Sequence, residues 1–202
     1  MIIKRKVLAS AIAAMVLGAT AASAAPVTFT GGTTQSSLSG FNPSGSDAAL
    51  SGPFSTLHNA SMGLAGKSEV TFTYVGTEAG YKNSFWASGS KLFDNKTSAS
   101  GDSHSLVMDG GALDFAFKTE RPSTTAVNGA TSGAYGSIAF FQKDEDSVYA
   151  LFNDASRSDR DFDDMVVRID VKPVPLPAAA VLLLSGMGML GAVSARRNRK
   201  EA

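Results

Sequence analysis

EVTFTYV, Glu69 to Val75, is the stretch that decides the fold. Val70, Phe72 and Tyr74 alternate with Thr71, Thr73 and Val75. A two-residue period sends the two sets to opposite sides of an extended chain, which predicts a half-buried strand. Gly76 ends it. MVVRIDV, Met165 to Val171, repeats the pattern, with Met165, Val167, Ile169 and Val171 on one face. Leu113 to Lys118 sets Leu113, Phe115 and Phe117 against Asp114, Ala116 and Lys118. YGSIAFFQ (Tyr135 to Gln142) and SVYALFN (Ser147 to Asn153) read as two more strands, divided by the acidic turn Lys143 to Asp146. Glu78 to Trp86, the turn Ser88-Gly89-Ser90 and Lys91 to Phe93 read as a hairpin or adjacent strands. Ser105 to Met108 is a short strand closed by Asp109-Gly110-Gly111. Glu120 to Gly133 reads as a polar loop. Ala25 to Gly66, rich in Gly, Ser, Thr and Asn, reads as loops and short irregular strands, partly disordered near Thr30 to Gly45. At least six short strands without an amphipathic helix among them predict an all-β fold. An antiparallel β-sandwich, jelly-roll-like or similar, buries such one-sided strands.

Both ends of the chain differ from this middle. Lys4, Arg5 and Lys6 precede an apolar run from Val7 to Gly18, and Ala22-Ser23-Ala24 follows as a small-x-small site. These are the three parts of a secretory signal peptide, with cleavage expected after Ala24. At the other end, Pro173-Val174-Pro175-Leu176-Pro177 precedes an uncharged apolar block from Ala178 to Ala195. At ~1.5 Å per residue the block makes about 27 Å of helix, enough for a hydrocarbon core of roughly 30 Å. Arg196, Arg197, Arg199 and Lys200 follow it. Cations beside a span stay cytoplasmic, so the predicted orientation leaves everything before Pro173 outside. The expected organisation is therefore a signal peptide at 1–24, a Gly/Ser/Thr-rich N-terminal part of the β-domain at 25–66, a sandwich core at 67–172 and a C-terminal signal at 173–202.

VPLPAAAVLLLSGMGMLGAVSARRNRK, Val174 to Lys200, resembles the VPLPA-type member of the PEP-CTERM sorting signals in motif, span and basic cluster. The resemblance implies a Gram-negative bacterium whose exosortase, a membrane-embedded cysteine transpeptidase, recognises Val174, Pro175, Leu176, Pro177 and Ala178. It also implies company with exopolysaccharide or biofilm matrix. Signal peptidase and exosortase would be the processing partners. The anchor would be transient, and the final location the cell surface or the extracellular space. The motif's own chemistry agrees, because each proline disfavours helix in the residue before it and keeps the segment extended for a protease-like groove.

Formal charge over the whole chain is zero, with 18 Lys plus Arg and 18 Asp plus Glu. Three cations lie in the signal and four in the tail, leaving 11, whereas only Glu201 is lost from the acids, leaving 17. The middle thus carries about −6, which argues against nucleic acid or anionic lipid as a partner. Cysteine is absent, so disulfides, thiol nucleophiles and thiolate zinc sites are excluded. His58 and His104 are the only histidines and do not stand at metal-ligand spacing.

NDASRSDRDFDD, Asn153 to Asp164, concentrates Asp154, Asp159, Asp161, Asp163 and Asp164. Carboxylates this dense repel one another and call for a cation or for full solvation. Calcium takes six to eight oxygens, many from carboxylates on flexible loops. Asp159, Asp161 and Asp163 have the spacing that opens an EF-hand loop, and Asp170 falls at its twelfth position. Asp164 stands where that loop needs glycine, so this is not an EF-hand. Two readings stay open: a calcium site of another geometry, or a solvated turn with Arg157 and Arg160 offsetting the charge. DRDFDDMVVRI, Asp159 to Ile169, resembles the C-terminal signature of the domain-of-unknown-function family numbered 4114, and Glu78 to Phe85 is similar to exported β-domains of that kind. That resemblance implies a β-rich exported domain, adds to the calcium case and supplies no catalytic residue.

The chain does not read as an enzyme. Glu69, Glu78, Glu120 and Glu145 sit at a strand start, in loops and in an acidic turn, not paired in an apolar pocket as glycosidase chemistry requires. No G-x-S-x-G elbow is present, and Ser103-His104 is merely adjacent. Tyr81, Phe85 and Trp86 cluster near one hairpin, either as a glycan-stacking platform or as core aromatics. The expected function is a non-catalytic exported surface or matrix protein with calcium as candidate cofactor. The alternative is a carbohydrate-binding module using residues 81–86, and a glycan-active enzyme ranks behind both.

Overall fold

The computed structural model describes residues 25–36, 38, 42, 47–51, 54–121, 123–129, 136–154 and 161–175. In chain order the described strands are β1 (Val27–Ser36), β2 (Ser55–Leu64), β3 (Ser68–Gly76), β4 (Asn83–Ala87), β5 (Ser90–Asp94) and β6 (Ser103–Met108). They continue with β7 (Gly111–Ala112), β8 (Phe115–Glu120), β9 (Ser123–Val127), β10 (Ser137–Gln142), β11 (Ser147–Asn153) and β12 (Met165–Pro173). A single 3₁₀ turn, Ala48–Leu50, is the only helical piece among the described residues. The fold is all-β, as the alternating stretches predict.

Two antiparallel sheets face each other. The large sheet runs β1-β2-β10-β11-β12-β3-β6, with β7 also on β2, and the small sheet runs β5-β4-β8-β9. Val70, Phe72 and Tyr74 of β3 and Met165, Val167, Ile169 and Val171 of β12 fill the space between the sheets, as their period requires. The small sheet meets them with Phe85, Phe93, Phe115 and Phe117. Phe117 stacks on Phe152 with ring centroids 4.9 Å apart, and Phe72 lies 5.3 Å from Phe85. Interdigitated inner faces of this kind define the core of a two-sheet stack.

Strand β11 departs from alternation, for every residue from Ser147 to Asn153 is buried. Its outer side packs in a second cluster, in which Val75, Ala139, Tyr149, Leu151 and Val166 meet Leu50, Phe54 and Phe162. The segment around the 3₁₀ turn therefore covers part of the outer face of the large sheet. A strand covered on both sides reads as a continuous apolar run, and YALF is that run.

Two expectations need correction. Ala25 to Gly66 contains two ten-residue strands, β1 and β2, rather than loops and short irregular pieces. The predicted polar loop Glu120 to Gly133 contains β9. Strands β1 and β9 are edges, where one side of the backbone needs no strand partner and Thr, Ser and Gly suffice. Strand β2 changes face at its irregularity: Ala60, Met62 and Leu64 pack between the sheets with Leu57, whereas the buried Thr56 and His58 lie on the outer side, His58 opposite Ala139 and against Phe162. Where the β1–β2 register skips between Gly31↔Ala60 and Thr33↔His58, Gly32 has φ +100 and Asn59 has φ 55. A Cβ on Gly32 would come within 2.8 Å of Leu57 Cδ1, so the irregularity requires glycine there.

Candidate functional site

The acidic segment forms a corner where β11 ends and β12 begins. Asp154 follows β11 directly and is 2 % exposed; Asp163 and Asp164 precede β12 and are 0 % and 6 % exposed. Phe162 is the pivot between Asp161 and Asp163. Its φ of 60 lies in the left-handed region, which a bulky residue adopts only when its surroundings impose it. Its ring is buried in the outer cluster and meets the His58 ring edge-on at 4.7 Å. The aromatic anchor thus fixes the turn that carries the flanking aspartates inward.

A second chain segment, between β3 and β4, closes the corner. Asn83 is fully buried and donates through Nδ2 to Asp154 Oδ2 at 2.6 Å and to the Asp164 carbonyl at 3.3 Å. The backbone N–H of Asp154 donates to Asp164 Oδ2 at 2.7 Å. Thr77 Oγ1 donates to the Asp164 carbonyl at 2.5 Å, and the Glu78 N–H donates to the Asp163 carbonyl at 2.9 Å. The Asn42 N–H donates to Asp163 Oδ2 at 2.5 Å. Asn95 supports Asn83 from below: its Oδ1 accepts the Asn83 N–H at 2.9 Å, and its Nδ2 donates to the Tyr81 carbonyl at 2.9 Å. Asn83 Oδ1, by contrast, is buried and makes no hydrogen bond.

Electrostatics follow from this enclosure. Burial pushes the Asp164 carboxyl up to about 7, and the nearby Asp154, Asp161 and Asp163 push it further in the same direction against the bond from the Asp154 N–H. An aspartate that holds its proton to neutrality marks a carboxyl buried close to further carboxylates. Among the described residues no three His, Asp or Glu side chains stand as a ready metal cage. The donor set is oxygen throughout, which suits a hard cation such as calcium, and calcium also accepts amide and backbone carbonyl oxygens. The buried, hydrogen-bond-free Asn83 Oδ1 fits that chemistry.

The remaining predicted site residues fall elsewhere. Asp159 lies outside the described residues. Tyr81, Phe85 and Trp86 are not brought to one surface. Tyr81 is 50 % exposed, Phe85 is sealed between the sheets, and Trp86 points to the opposite face of β4. Lys118 Nζ sits 3.7 Å over the Trp86 ring, and Trp86 Nε1 donates to Ser84 Oγ at 2.9 Å. Of the sorting motif, Val174 and Pro175 are described, and the Val174 N–H donates to the Lys67 carbonyl at 2.9 Å. Leu176, Pro177, Ala178, the apolar block after them, and Ala22 and Ala24 lie outside the described residues. No helix among the described residues is long and apolar enough to cross a membrane. His58, bonded to Thr56 Oγ1 at 2.8 Å, is on β2, while His104 is on β6 at the far edge of the same sheet.

Sequence reading missed Asn83, Asn95 and Thr77. Thr77 and Asn83 stand 87 and 71 residues before the aspartates they bond, Asn95 supports them in turn, and only the folded chain joins them. The one local signal is Asn83 at the head of an apolar strand, a polar residue where the pattern calls for burial. No family model and no curated protein matches the chain.

Proposed function

We propose that this chain is a non-catalytic, exported surface or extracellular-matrix domain whose corner between β11 and β12 is braced by calcium. The buried Asp164 carboxyl, raised to about 7 among further carboxylates, carries the proposal. A bound divalent cation would relieve that repulsion and tie the two sheets together at the Asn83 contact. Asp154, Asp161, Asp163, Asp164 and the amide oxygen of Asn83 are the ligands proposed from the described residues, with Asp159 from the adjoining segment. Export by signal peptidase, recognition of Val174 to Ala178 by exosortase, transient anchoring through Ala178 to Ala195 and association with exopolysaccharide complete the proposal. A jelly-roll-like sandwich is the finer form of the fold within it. The sequence at both ends supports export, and the middle's acidic balance supports a cation partner.

Thermal unfolding of the exported protein, with and without millimolar calcium, tests the proposal. A site occupied at about a hundred times its dissociation constant adds roughly 2.7 kcal/mol. For a domain of this size that raises Tm by about 5–10 °C. An unchanged Tm contradicts it.

A further inference from the structure

We propose that the cleft on the outer face of the large sheet is a subsite for a neutral saccharide. Its floor is Arg168 and Asp170 of β12, Thr71 and Thr73 of β3 and Ser103 of β6, which belong to two rungs of the large sheet. One rung is Tyr149, Arg168, Thr73 and Ser103; the next is Ser147, Asp170, Thr71 and Ser105. Registration across β11, β12, β3 and β6 sets these residues side by side, because alternate residues of neighbouring strands share a face. Asp47 overhangs this floor from the segment that precedes the 3₁₀ turn, and the half-open cleft has a volume of about 370 Å³. That lies at the small end of ligand pockets and matches about one or two sugar rings.

Charge and hydrogen-bonding capacity select the ligand class. Arg168 Nε donates to Asp170 Oδ2 at 2.9 Å, and Nη1 donates to Asp47 Oδ2 at 3.3 Å. Asp170 Oδ1 accepts from Ser147 Oγ at 2.8 Å, and Asp47 Oδ2 accepts from the Tyr149 hydroxyl at 2.5 Å. The guanidinium is therefore bonded to two carboxylates. It offers no unbalanced positive charge to a phosphate or uronate, and two carboxylates against one cation disfavour anions further. Planar carboxylate and guanidinium groups beside Thr and Ser hydroxyls instead offer acceptors and donors in close alternation. Vicinal hydroxyls of a neutral sugar, each both donor and acceptor, answer that alternation. The outer face changes character at this point: Val166, Leu151 and Ala139 belong to the covered apolar half, Val75 lies at the border and lines the cleft, and the cleft occupies the polar half beside it. This inference stands apart from the calcium proposal, since Asp164 and Asp170 are separated by about 20 Å of strand at ~3.3 Å per residue.

Titration of the exported protein with neutral oligosaccharides (maltotriose and a β-linked galactobiose as probes), followed by saturation-transfer NMR and calorimetry, tests it. Oligogalacturonate serves as the acidic comparison. The expected result is millimolar binding of a neutral probe in calcium-free buffer. Thr73→Val, which keeps strand shape and removes one hydroxyl, should weaken that binding about tenfold, equivalent to ~1.4 kcal/mol. Asp170→Asn should weaken it further, while Trp86→Ala, on the other sheet, should leave it unchanged. Absence of binding by either neutral probe overturns the proposal, as does preference for the acidic one. Loss of binding in Trp86→Ala with retention in Thr73→Val also overturns it and returns the site to the hairpin near residue 86. Because calcium is omitted, failure here leaves the calcium proposal standing, and the reverse holds equally.

Discussion

One strand carries two opposite solutions to the placing of carboxylates. At the head of β12, Asp163 and Asp164 are buried with Asp154, and the charges are all of one sign. Farther along, Asp170 and Asp47 flank Arg168 on the open face, and the charges alternate. In the first region, burial itself holds a proton on Asp164 to about 7, and the neighbouring aspartates add to it. In the second, the Arg168 guanidinium is raised above its ordinary value by its bond and attraction to Asp170 and by Tyr149, although partial burial opposes this. Charge of alternating sign stays ionised on an open face, whereas carboxylates buried close together favour the protonated form.

Asn83→Ala should produce the largest effect. It removes the donor to Asp154 Oδ2 and leaves that buried carboxylate short of a partner, so we expect a loss of about 3 kcal/mol. Urea unfolding measures it, and a loss below about 1 kcal/mol would show that the corner does not depend on this amide.

The second effect is pH dependence. Folded Asp164 keeps its proton up to about 7, whereas an unfolded aspartate releases it near 3.9. The folded state then binds more protons across that window. Its stability is greatest below pH ~4, falls as pH rises to about 7, and stays reduced above. Asp164→Asn should abolish this slope and raise stability at pH 8 in calcium-free buffer by on the order of 2 kcal/mol. A mutant less stable than the parent at pH 8 would mean that the carboxylate is stabilising rather than strained.

The smallest expected effect belongs to the compensated region. Arg168→Met should cost about 1 kcal/mol, because Arg168, Asp47 and Asp170 are each partly exposed and water screens their pairing. Added salt should narrow the difference between mutant and parent. A loss as large as that of Asn83→Ala would erase the contrast between the two regions.

The sequence made the fold legible where the core is apolar on one face. Val70, Phe72 and Tyr74, or Met165, Val167 and Ile169, reveal their strands because burial follows a two-residue period. It stayed silent for β1 and β9, edges built from Thr, Ser and Gly, and for β2, whose buried residues include Thr56 and His58 and switch face at Asn59. The aspartates of the corner were legible from their density alone. Their partners Thr77 and Asn83 were not, since hydrogen bonds spanning 87 and 81 residues leave no local pattern. Phe162 was equally hidden, for its role rests on a left-handed backbone angle that composition cannot announce. Nor did the spacing of Arg168 and Asp170 foretell Asp47, brought to them from 121 residues away.

Calorimetric melting of the protein at pH 8 and at pH 5, each with and without millimolar calcium, tests the central claim that the corner is a cation site. Calcium needs the ionised carboxylates, so proton and metal compete for the same oxygens. We predict a rise in Tm of about 5 °C or more at pH 8, a smaller rise at pH 5, and none at either pH in Asp164→Asn. Equal melting temperatures with and without calcium at pH 8, or a full calcium response retained in Asp164→Asn, would contradict it.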